Sequence, residues 1–94
     1  VLFENVTVEE GATIEYSLIM PGSIIKKGAV VRYAIVAENA VIEEGAVVGQ
    51  SPEEIENIDD WGIAVIGDGL TVKKGAVVTA GKMITKDVEE GETI

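Results

Sequence analysis

Ninety-four residues with seven basic and seventeen acidic side chains, a net charge of −10, suit one small domain and argue against nucleic acid or an anionic membrane surface as a partner. Hydrophobic residues make up 47% of the chain but aromatics only 4% (Phe3, Tyr16, Tyr33 and Trp61), so an elongated core of stacked small aliphatics is expected in place of a globule built on rings. The sequence has no His and no Cys, which removes the commonest general base, the thiol nucleophile, zinc–thiolate ligands and disulfides; no catalytic residue, no metal site and a cytoplasmic location are expected.

From Val8 onward the chain repeats. Val8-Glu9-Glu10-Gly11-Ala12-Thr13-Ile14 returns as Ile25-Lys26-Lys27-Gly28-Ala29-Val30-Val31, as Ile42-Glu43-Glu44-Gly45-Ala46-Val47-Val48 and as Val72-Lys73-Lys74-Gly75-Ala76-Val77-Val78. The first three copies start 17 residues apart, and the last gap of 30 is one period with 13 residues inserted. Within each period a finer spacing of 6, 5 and 6 selects Leu2, Val8, Ile14, Ile19, Ile25, Val31, Val36, Ile42, Val48, Ile66, Val72 and Val78. All twelve are Val, Ile or Leu, although such residues number only 29 of 94.

An apolar residue about every six, with a small one four later (Ala12, Ala29, Ala46, Ala76), suits short strands turning corners around a narrow interior. Three walls per turn make a triangular prism whose turns pair in parallel ~4.8 Å apart. Each buried Val or Ile contributes ~1.5–3 kcal/mol, enough for a column of them to support the fold. Gly11, Gly28, Gly45 and Gly75 fall at corners, and a helical reading fails because glycines and β-branched runs recur where helix interiors would lie. The expected fold is all-β: a single-stranded, hexapeptide-repeat parallel β-helix. Periodicity does not give its hand.

The two residues before each corner glycine read Glu9-Glu10, Lys26-Lys27, Glu43-Glu44, Lys73-Lys74 and Glu89-Glu90. Stacked every turn, they form a ladder of alternating sign that opposes slippage by one coil. The competing reading of Lys26-Lys27 or Lys73-Lys74 is a phosphate site.

Residues 50–62 interrupt the prism. Ser51 suits an N-cap, Pro52 the first helical position, and Glu54 stands three after Ser51 as in a capping box. Ile55, Ile58 and Trp61 follow at three-residue spacing, so a short amphipathic helix around 51–61 is expected, packing its apolar stripe on the prism or offering it to another subunit. Near the C-terminus, Met83-Ile84-Thr85-Lys86-Asp87-Val88 loses the six-residue rhythm and is expected to leave or close the prism. Leu2–Thr7 already reads as one wall, so the chain is expected to be a fragment whose open first coil is covered by a preceding domain.

Hexapeptide prisms carry several unrelated activities. The histidine-dependent acyltransferase and zinc carbonic anhydrase versions are excluded in their usual form, and the scattered threonines make no ice-binding column. The runs Val1-Leu2-Phe3, Val6–Ala12 and Tyr16-Ser17-Leu18-Ile19-Met20-Pro21-Gly22 resemble the C-terminal β-helix of bacterial glucose-1-phosphate adenylyltransferase (ADP-glucose pyrophosphorylase). So does Ala40–Gly49, followed by the acidic insertion and Trp61-Gly62-Ile63-Ala64-Val65-Ile66-Gly67.

The resemblance implies a left-handed prism spanning 1–94 as one domain, attached to a nucleotidyltransferase domain whose motifs this sequence lacks. That domain would make ADP-glucose and pyrophosphate from ATP and glucose 1-phosphate for glycogen biosynthesis, and would hold the ATP and Mg²⁺; no cofactor is expected here. The β-helix would serve tetramer assembly with its own catalytic domain and neighbouring subunits, and allosteric regulation by a sugar-phosphate effector. Arg32, with its planar head, is the first candidate for that anion, with Lys26 and Lys27 beside it. Ile55, Ile58 and Trp61 are the interface candidates. The alternatives are the tail of another sugar-nucleotide transferase, or a hexapeptide acyltransferase without the usual histidine.

Overall fold

The computed structural model describes residues 4–94, with Asp60 described by its backbone alone. Twelve short strands wind into three parallel walls, and successive coils of the chain supply successive strands of each wall. The first wall holds β1 (Thr7–Val8), β4 (Ile24–Ile25), β7 (Val41–Ile42) and β10 (Thr71–Val72). The second holds β2 (Thr13–Glu15), β5 (Val30–Arg32), β8 (Val47–Val48) and β11 (Val77–Val78). The third holds β3 (Leu18–Ile19), β6 (Ala34–Val36), β9 (Ala64–Ile66) and β12 (Met83–Ile84). The architecture is the left-handed parallel β-helix.

Register follows the sequence period. Ile25 lies opposite Ile42, Val31 opposite Val48, and Ile42 opposite Val72 across the inserted residues. Side chains alternate along each strand, so one residue per wall and coil enters the axis. Nine of the twelve expected axial residues have no exposed surface: Ile19, Ile25, Val31, Val36, Ile42, Val48, Ile66, Val72 and Val78. Ile14 is half-buried and Val8 is 40% exposed, because the first described coil has a neighbour on one side only. Leu2 lies outside the described residues.

Each of the three corners needs a residue in the left-handed region. At the corner between the first and second walls it is glycine, with φ between +69° and +80° at Gly11, Gly28, Gly45 and Gly75. At the corner between the second and third walls it is Tyr16 (φ 49°) and Tyr33 (φ 50°). At the remaining corner Asn5, Gly22, Asn39 and Gly69 share the task. Left-handed backbone costs a non-glycine residue of order 1–2 kcal/mol, and the tyrosine corner recovers much of it through the ring contacts described below.

The C-terminal segment takes the second of the two expected courses and closes the prism: Met83–Ile84 extends the third wall beside β9, and Val88 and Thr93 bridge back to Val72 and Val77. Ile84 and Val88 are buried. A longer corner before Ile84 is followed by a shorter one before Val88, so the coil closes at 16 residues instead of 17. Asp87 assists by accepting the Thr71 N–H at 2.9 Å.

The insertion is helical where expected, but as two single 3-10 turns, Pro52–Glu54 and Ile58–Asp60, in place of one amphipathic helix. Ser51 caps the first by accepting the Glu53 N–H at 3.2 Å, and Pro52 occupies the first position. Glu54 does not close the capping box, because its carboxylate reaches Arg32 at 2.9 Å. Extended Ile55 ends that turn and Asn57 starts the next by accepting the Asp59 N–H at 3.1 Å. Three residues are too few to keep Ile55, Ile58 and Trp61 on one stripe, and Ile58 stands 60% exposed.

Candidate functional site

The charged ladder stacks as the period requires, since the Glu9, Lys26, Glu43 and Lys73 N–H groups donate in turn to the Ile25, Ile42, Val72 and Val88 carbonyls of the next coil. Its chemistry is subtler than ammonium on carboxylate. Glu9 Oε1 accepts the backbone N–H of Lys27 and Glu43 Oε1 that of Lys74, both at 3.1 Å. Carboxylates therefore satisfy corner amides one coil on, where glycine turns the chain. A side-chain ion pair forms at Lys73 Nζ–Glu89 Oε1, 3.0 Å, and this hydrogen bond, followed by the charge of Glu89, holds the ammonium above the usual lysine range. Lys26 lines a shallow cleft of about 190 Å³ with Glu43, Glu44 and Lys74. Mixed charge makes that cleft a weak anion receptor and favours the ladder.

Lys26 and Lys27 stand before the strand of the second wall, and Arg32 closes it. Arg32 is committed to the insertion through Nη2–Glu54 Oε1, with its side chain 26% exposed. Its Nε is buried and has no hydrogen-bond partner among the described residues.

The insertion is fastened by specific groups at this same corner. Trp61 donates Nε1–H to the Gln50 carbonyl at 2.7 Å and sets its ring edge-on to Tyr33, with centroids 5.5 Å apart. Tyr33 stacks on Tyr16 with centroids 4.9 Å apart. Pairs of this kind contribute ~0.5–1.5 kcal/mol each beyond their burial, comparable to the backbone cost noted above. Gln50 Oε1 in turn accepts the Ala80 N–H at 3.0 Å, tying the insertion's base to the next coil. Trp61 and Ile55 are thus half-buried against the prism, and Ile58 is the interface candidate facing water. The stack was findable in the sequence: Tyr16 and Tyr33 are one period of 17 apart.

Beside this corner lies the third wall, and its outward side is apolar in every coil. Leu18, Ile35, Val65 and Met83 stand in register there. A cleft of about 390 Å³ opens at one end, lined by Tyr16, Leu18, Ala34, Ile35 and Ile63 among others. Ser17, just before β3, and Ser23, just before β4, are buried, and both serve the backbone: Ser17 accepts the Ala34 N–H and Ser23 that of Ala40, one coil on. Among the described residues no group of three or more His, Cys, Asp or Glu is placed to hold a metal ion. No described helix is long and apolar enough to cross a membrane.

The family model described as GlmU-like, C-terminal hexapeptide, matches residues 1–71. Among solved structures, the acetyltransferase domain of PglB from Neisseria gonorrhoeae is similar at 18% identity and a TM-score of 0.39, over 99% of this chain and 53% of that one. The same domain in complex with acetyl coenzyme A is similar at 19% identity and a TM-score of 0.39, over 98% and 53%. The chain therefore spans about half the length of these structures. No curated protein sequence matches it.

Proposed function

The chain belongs to the GlmU-like C-terminal hexapeptide family, and on that premise we propose that it is the non-catalytic β-helix of a bacterial glucose-1-phosphate adenylyltransferase. In this reading it assembles and regulates a nucleotidyltransferase that makes ADP-glucose and pyrophosphate in the cytoplasm for glycogen synthesis. The observation that carries the reading is the family match on a chain that holds no histidine and no cysteine. Acyl transfer on this scaffold would need a base that the sequence does not provide in its usual form. The likeness of the Ser17-Leu18-Ile19-Met20-Pro21 wall and of the insertion's place before Gly62-Ile63 to the adenylyltransferase tail supports the finer assignment.

Regulation follows from Arg32. A sugar phosphate binding there displaces Glu54 and takes both the released Nη2 and the unpartnered Nε, a bidentate geometry that lysine cannot supply. Releasing Glu54 loosens the first 3-10 turn, which couples the anion to the insertion. Lys26 and Lys27 stay in the ladder.

The experiment compares the full gene product with the 94-residue chain alone. The full product is expected to convert ATP and glucose 1-phosphate to ADP-glucose and pyrophosphate, and the isolated chain to turn over neither that pair nor acetyl coenzyme A. Preference for another nucleotide sugar would assign the tail to a different sugar-nucleotide transferase. Consumption of acetyl coenzyme A by the 94 residues alone would make the chain an acyltransferase and refute the reading.

A further inference from the structure

We propose that the outward side of the third wall is the docking face for a second copy of this chain, in a two-fold pair whose prism axes run in opposite directions. The inference deepens the assembly role proposed above and rests on that reading, but it is tested apart from it. In a chain that is 26% charged, the stretches 16–21, 33–37 and 63–67 carry no charged residue at all. These are the third wall and its corners in three successive coils. The charged ladder stands at the corner opposite, between the first and second walls. A contact through the third wall therefore keeps most of the −10 charge of each copy away from its partner, where salt screens it.

The two ends of the wall differ, and that difference fixes the orientation. One end carries the cleft beside Tyr16 and Leu18, and the other carries Met83, 72% exposed. An unbranched, polarizable thioether is well suited to filling an irregular apolar cleft. A two-fold axis lying in the wall, across the prism, sets Met83 of each copy over the cleft of the other and Ile35 against Val65. It also brings Lys82, which flanks the wall in the last coil, toward Glu15 at the rim of the cleft. With the axes parallel, Met83 would meet Met83, cleft would meet cleft and Lys82 would meet Lys82. An isologous contact needs a self-complementary surface, and only the antiparallel pairing supplies it.

The wall is small. Four strands ~4.8 Å apart and five to six residues wide present roughly 350 Å² per copy, below the ~800 Å² per partner of a standard stable interface. The pair is accordingly expected to be weak and to add to other contacts in a larger assembly.

Because the sequence has no cysteine, single-cysteine variants report on the geometry directly. Met83→Cys and Leu18→Cys chains are mixed and treated with a short bis-maleimide, at rising concentration up to about 1 mM, where weak pairs form. The expected result is a heterologous 83–18 cross-link in about tenfold excess over 83–83, and sedimentation that shifts from one chain toward two. Ile35→Glu, whose side chain faces outward, is expected to cut the yield about tenfold while the far-ultraviolet β-signal is unchanged. Lys82→Glu weakens the pair, and adding Glu15→Lys restores it. Dominant 83–83 cross-links would show parallel packing and overturn the proposal. A single-chain mass throughout, with no cross-link, would give the wall to another occupant and overturn it as well. Neither result touches the nucleotide assay above, so the two failures are distinguishable.

Discussion

The repeat prism between Ile19 and Val48 and the insertion from Gln50 to Gly62 are neighbours in one chain, yet they are ordered by different means. In the prism each stabilising contact is made again one coil later. Ile25 rests on Ile42 as Val31 rests on Val48, and every axial residue is fully buried. In the insertion each contact occurs once: Arg32 with Glu54, Trp61 with Tyr33, and Trp61 with the Gln50 carbonyl. Repetition makes the prism cooperative, because a defect in one coil is felt by its two neighbours. The insertion can loosen without disturbing what lies beneath it.

The largest expected effect breaks this contrast most plainly. Ile42→Asp places an unpaired carboxylate on the axis and is expected to destabilise the domain by about 4 kcal/mol or more. The same change at Ile58, 60% exposed on the insertion, is expected to stay within about 0.5 kcal/mol. Thermal or urea unfolding of the two variants measures both.

The seam between the regions comes next. Gly49 has a φ of +85°, and a Cβ there would run into the Arg32 carbonyl of the coil below. Gly49→Ala should cost about 2–4 kcal/mol, more than any substitution of an exposed corner glycine such as Gly75, around which a Cβ would meet nothing. A ranking of melting temperatures with Gly75 above Gly49 checks this.

Within the insertion, Glu54→Gln removes the tie to Arg32. Both groups are partly exposed, so the loss is ~0.5–1 kcal/mol and local. Cleavage after Glu53 or Glu56 by a glutamate-specific protease is expected to speed up about two- to fivefold, the equivalent of that energy, with the global unfolding temperature unchanged. A fall in that temperature would mean that the insertion and prism unfold together.

The smallest effect sharpens the ladder. Glu89 holds the Lys73 ammonium above its ordinary range, so the folded form keeps its proton to higher pH than the unfolded chain. The stabilisation is complete below the ordinary lysine range and fades as pH rises through the raised value. Alkaline melting curves of the native chain and Glu89→Gln are therefore expected to converge at high pH and separate at neutral pH.

How much of this was legible follows from the same contrast. The walls, the register and the glycine corner were readable because Val, Ile, Gly and paired charges recur every 17 residues. The turns of the insertion were not. Ser51 and Pro52 signalled the start correctly, but the destination of Glu54 depends on Arg32, far away in sequence and brought near by the coil. The placement of the interface candidates depends on the same kind of distant contact: Trp61 packs edge-on to Tyr33 while Ile58 faces water. The last coil left two courses open because its long and short corners compensate only when placed in space, where Asp87 accepts the Thr71 N–H. The uncharged third wall was visible in the sequence, but its significance required knowing which residues point outward.

Methyl NMR of the 94-residue chain, with Ile and Val labelled, tests the central claim most directly. Contacts from Ile25 to Ile42, from Val31 to Val48, and across the insertion from Val48 to Val78 are the result expected of stacked coils. Ile42 contacting residues three and four positions away along the chain, with its methyls open to a soluble paramagnetic probe, would contradict the prism and everything placed upon it.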